Sequence, residues 1–81
     1  MDKEIIVKAF WDHEAEVWVA ESEQVPGLVT EADTMEKLIE KLKVLIPELL
    51  EANGIMSDIQ NEEIPFHLLS ERMERIRTGH V

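Results

Sequence analysis

The chain has 81 residues, 44% of them apolar, with two Trp, two Phe and no Tyr, which suits one small folded domain with one core and not a disordered acidic tail. Eighteen acidic side chains against eight basic ones leave a formal net charge of −10 spread along the chain, so a phosphate backbone is repelled and direct nucleic-acid binding is disfavoured without an added DNA-binding domain. The absence of cysteine excludes a disulfide framework, a Cys-based zinc site and a thiol nucleophile, in keeping with a cytoplasmic protein.

From Glu4 to Trp11 (EIIVKAFW) the chain is rich in β-branched and aromatic residues that alternate as a strand does. The stretch from Glu16 to Ser22 (EVWVAES) reads the same way, and Asp12-His13-Glu14-Ala15 between them has the length of a hairpin loop. In either loop register both faces of this hairpin carry large apolar groups. Ile5, Val7, Ala9 and Trp11 share one face of the first strand and Ile6 and Phe10 the other; Val17 with Val19 and Trp18 with Ala20 divide the second. One helix cannot cover both.

Pro26-Gly27 is a turn signal of type II, with proline fixing φ at one central position and glycine accepting a positive φ at the next. A short third strand, LVTEA, follows from Leu28 to Ala32. Asp33 and Thr34 are both N-cap residues, and Asp33 with Glu36 makes a capping-box-like pair at the start of a helix. In that helix Met35, Leu38, Ile39, Leu42, Leu45, Ile46, Leu49 and Leu50 recur at spacings of three and four, opposite Glu36, Lys37, Glu40, Lys41 and Lys43. Pro47 removes a bond to the Lys43 carbonyl and is expected to kink the helix, and Asn53-Gly54 is a stop signal. A polar connection from Ile55 to Glu63 leads to a fourth strand from Ile64 to Leu69 (IPFHLL), where Pro65 points to a sheet edge or a strand start. Residues 70–81 read as an extended or frayed tail, although Leu69, Met73 and Ile76 also fit a helix. The order β-β-β-α-β defines a single α+β domain over residues 1–81.

Chemistry is sparse. His13, His67 and His80 are spaced as in no helix-borne metal motif, the serines have no partner base in sequence, and the three glycines lie too far apart for a phosphate loop. Carboxylate pairs are as frequent as the composition demands, and Glu21, the acid nearest an apolar strand position, sits at a strand's polar end. Arg72, Arg75 and Arg77 form the only basic cluster, interleaved with Glu71 and Glu74. These observations argue against an enzyme, a cofactor or a bound metal. Phe10, Trp11 and Trp18 offer more: either they all belong to the core, or the apolar area that one helix leaves over is an interface, with these rings as its anchors.

The succession W-D-x-E-A-x-V-W-V-A, V-P-G-L-V-T-E-A-D-T, L-I-E-K-L-K-V-L-I-P-E-L-L-E-A-N-G and I-P-F-x-L-L resembles the DUF1902 family, a set of HicB-like proteins related to antitoxins, from Ile5 to about Leu69. That resemblance implies a partial RNase H fold: a three- to four-stranded, mainly antiparallel sheet covered on one face by a single helix. It also implies a non-enzymatic, antitoxin-like partner for a small basic HicA-type ribonuclease, a pairing that the acidic surface suits. The alternatives are a self-associating HicB-like module, as a homodimer or higher homo-oligomer, and a degenerate RNase H-like metal-dependent nuclease.

Overall fold

A computed structural model describes residues 4–55 and 63–79. Its elements run β1 (Ile5–Asp12), β2 (Val17–Glu21), β3 (Val29–Ala32), α1 (Met35–Ala52) and β4 (Phe66–Glu71). The four strands form one sheet in the order β3-β2-β1-β4; β1, β2 and β3 pair antiparallel, and β4 lies parallel to β1 at the edge. The expected α+β order is therefore observed, with the proline-led strand at an edge. Most of the polar connection after Ile55 lies outside the described residues.

The hairpin closes on Asp12. Its carboxylate accepts from the Glu14 and Ala15 amides at 2.9 and 3.2 Å, and its carbonyl accepts from the Glu16 amide at 2.7 Å. Aspartate thus organises the loop through its own side chain, while Glu16 takes a left-handed φ of 60°. The resulting register sets Phe10 opposite Val19, Trp11 opposite Trp18 and Ala9 opposite Ala20.

The turn at Pro26-Gly27 has the expected form: the Leu28 amide donates to the Val25 carbonyl at 3.1 Å and Gly27 has a φ of 86°. Helix capping differs from expectation in one detail. Thr34 is the N-cap, its hydroxyl accepting from the Lys37 amide at 3.1 Å, while Asp33 lies one residue outside and pairs with the Lys37 ammonium at 3.2 Å. Because the cap is one residue later, Lys37, not Glu36, stands at the third helical position, so a reciprocal box cannot close. At the other end Gly54 has a φ of 71°, its amide donates to the Glu51 carbonyl and the Ile55 amide donates to the Leu50 carbonyl, which is a Schellman stop. The Asn53 amide side chain donates to the Pro26 carbonyl at 3.2 Å, tying the turn to the end of the helix.

The core is wholly apolar. Leu38, Leu42, Ile46 and Leu50 of α1 pack onto Ile5, Val7, Ala9, Ala20, Val25, Leu28 and Ala32, and no polar side chain is buried among the described residues. Full burial of each leucine or isoleucine on the helix is worth about 1.5–3 kcal/mol. The helix lies closest to β3 and β2, where Ala20 and Ala32 leave room for it. The β4 side of the sheet is less covered: Phe66 and Leu68 are only half-buried.

Candidate functional site

Strand periodicity sends alternate side chains to opposite faces, and paired residues share a face. Opposite the helix, one row across the sheet reads Glu71, Phe10, Val19, Glu31, and the next reads Leu69, Lys8, Glu21, Val29. Phe10 is 42% exposed, Leu69 54% and Val29 72%. An apolar centre of Phe10 and Val19 is thus bracketed by two carboxylates, and Lys8 is the single lysine or arginine on the strands of this face. At one end the face dips into an open groove of about 470 Å³ lined by Ile6, Lys8, Glu21, Gln24, Gly27 and Val29. There β2 has already left the sheet, and side chains replace its backbone: Gln24 Oε1 accepts from the Ile6 amide at 3.1 Å and the Ser22 hydroxyl donates to the Ile6 carbonyl at 2.7 Å.

The three aromatic candidates do not form one patch. Phe10 stands on the open face, whereas Trp11 and Trp18 face the helix side near the hairpin end, half-buried, with their rings edge to face at 5.4 Å. Trp18 packs against the core. The Arg72 guanidinium lies 4.2 Å from the centre of the Trp11 ring and 6.0 Å from that of Trp18, a cation–π contact. His13 Nε2 lies 2.8 Å from the Met73 carbonyl oxygen, within hydrogen-bonding reach. The segment after β4 is therefore clasped to the hairpin at Arg72 and Met73; beyond that clasp Ile76 is 86% exposed. The sequence carries little signal for this clasp: His13 has none beyond its loop position, and Arg72 is one of three clustered arginines.

Electrostatically, the Arg72 side chain also holds Glu74 by a direct ion pair. That hydrogen bond, opposed by desolvation and helped by the charges of Arg72 and His13, lowers the Glu74 carboxyl below the ordinary carboxylate range. His67 on the open face lies 3.9 Å from Glu4, a loose surface pair. Among the described residues no three His, Cys, Asp or Glu side chains converge as a metal site. Nor does a buried carboxyl or imidazole occur there of the kind that general acid–base catalysis recruits. Pro26, Gly27, Asp33 and Thr34 are all in the joints around the helix, away from the open face's centre.

The fold and surface define a small, non-catalytic-looking α+β domain in which one helix covers one face of a mixed, mainly antiparallel sheet. Residues 4–79 match the family model described as "Domain of unknown function (DUF1902)", and the chain belongs to that family. It is also similar to the solved structure of a hypothetical protein, TTHA1013, from the extreme thermophile Thermus thermophilus, with 47% identity and a TM-score of 0.67 over 94% of this chain and 100% of that one. No curated protein matches the chain. No helix among the described residues is long and apolar enough to cross a membrane.

Proposed function

We propose that this is a non-enzymatic, cytoplasmic protein-interaction domain, antitoxin-like, whose uncovered sheet face receives a basic HicA-type ribonuclease and masks it. One observation carries the reading: an apolar centre of exposed Phe10 beside half-buried Val19, flanked by Glu31 and Glu71, on a chain of net charge −10. Acidic rims speed encounter with a basic protein, and the desolvated apolar centre supplies the adhesion. A phosphate ligand would be repelled by the same rim.

Co-expression with a basic HicA-type ribonuclease tests it. The expected result is relief of toxicity and a soluble complex that weakens as salt rises from 0.1 to about 0.5 M, because exposed charge pairs are screened over about 10 Å at the lower concentration. Phe10→Asp should abolish the complex while leaving the fold intact. Unrelieved toxicity with the wild-type chain, or a Phe10→Asp variant that protects fully, would sink the reading.

A further inference from the structure

The two edges of the sheet are unlike. At the β3 edge the strand has four residues, and Lys41 of the helix donates to the Glu31 carbonyl at 2.5 Å, occupying an acceptor at that edge. Short, lysine-guarded edges resist pairing with other strands. The β4 edge has six residues, no lysine and no proline within it, and no strand beyond it among the described residues. The region from Phe66 to Gly79 is also where the chain departs from its acidic character, with Glu71 and Glu74 set against Arg72, Arg75 and Arg77. Two molecules of charge −10 repel each other over most approaches, and least along this edge.

We infer that β4 is a self-pairing edge, joining two copies antiparallel about a two-fold axis into one eight-stranded sheet. A two-fold normal to the sheet requires one residue of β4 to face its own symmetry mate, because only then do paired residues share a face. With Leu69 at that position, the strand is complementary to itself. The exposed Leu69 side chains meet across the axis, and on either side His67 faces Glu71 of the second copy. Centring the axis on Leu68 instead sets His67 against Leu69 and loses this polar pairing. Like-sized apolar pairs and opposite charges directly across strands are the stabilising combinations. The clasp of Arg72 and Met73 to the hairpin leaves the outer edge of β4 free and holds its end in place. Pairing also extends the open face over both copies, and it does not depend on the toxin-binding proposal.

Because the chain has no cysteine, single substitutions report the register directly. The purified wild-type protein should sediment as a dimer at tens of micromolar. Oxidised Leu69→Cys should form a disulfide-linked dimer in high yield, since facing antiparallel residues bring their Cα atoms within the roughly 4.4–6.8 Å a disulfide spans. Leu68→Cys should cross-link at least tenfold less. Glu71→Lys should shift the protein toward monomer, and His67→Glu added to it should restore the dimer. A wild-type monomer at millimolar concentration overturns the proposal, as does equal cross-linking at residues 68 and 69 or a dimer indifferent to Glu71→Lys.

Discussion

One face of the sheet carries Val7, Ala9 and Ala20, sealed under α1; the other carries Lys8, Phe10, Val19 and Glu21 and is left to solvent. Neighbours in sequence serve opposite ends. On the covered side small strand residues admit the helix and the fully buried side chains are all apolar, so their packing contributes to stability. On the open side large apolar groups alternate with charges, a pattern poor for a core and well suited to a surface that another protein covers. The division of labour rests on a period of two, and the hairpin loop that fixes the register therefore also decides which residues fold the chain and which remain available.

The largest expected effect lies on the covered side. Leu42 is fully buried at the middle of the helix stripe, and Leu42→Ala should lower unfolding free energy by about 2–5 kcal/mol in denaturant titration. A loss below ~1 kcal/mol would show that the helix is not seated on this face as described. Next comes the joint that holds helix to sheet. At Gly27 an added Cβ would lie in ordinary contact, 3.7 Å from Leu49 Cδ2, and Gly27→Val forces a β-branched residue to a φ of 86°. The expected loss is ~1–2 kcal/mol, read as a lower melting temperature; an unchanged melting temperature would mean that this φ is not required.

Phe10 supplies the contrast. Being 42% exposed and packed chiefly beside Val19, it should lose only about 0.2–1 kcal/mol of stability on substitution by Ser. Under the proposed function the same variant loses partner binding. A large destabilisation would erase the distinction between the faces and return Phe10 to the core.

Much of this arrangement is readable from local chemistry. Hydrophobic spacing marked Leu38, Leu42, Ile46 and Leu50, and the turn chemistry of Pro26-Gly27 and Asn53-Gly54 marked the joints; these features act within a few residues, so they leave a trace in a short window. Strand alternation also separated Phe10 from Trp11 in advance. What sequence could not show was tertiary: that the fourth strand lies beside β1, that Ser22 and Gln24 complete the ladder at Ile6, and that Arg72 comes over Trp11 from the far end of the chain. The capping residue fell between two neighbours, Asp33 and Thr34, of nearly equal capping strength, and only the backbone chose between them.

The smallest effect belongs to the exposed arm. Glu74 titrates below the ordinary carboxylate range because Arg72 hydrogen-bonds its charged form, so its contribution to stability is present above the unfolded carboxyl's pKa and is lost as pH falls through the lowered folded value. The group is exposed, so solvent screening keeps that contribution slight and thermal unfolding should barely register it. A carboxyl NMR titration does resolve it. In Arg72→Gln the Glu74 midpoint should rise toward the ordinary range, since the hydrogen bond that is the largest cause and the nearest positive charge are both gone. The same substitution removes the cation over Trp11, so the Trp11 indole signal should shift with it. If the Glu74 midpoint stays put while the indole signal moves, Arg72 holds the arm through the tryptophan alone, and the ion pair with Glu74 is incidental to the clasp.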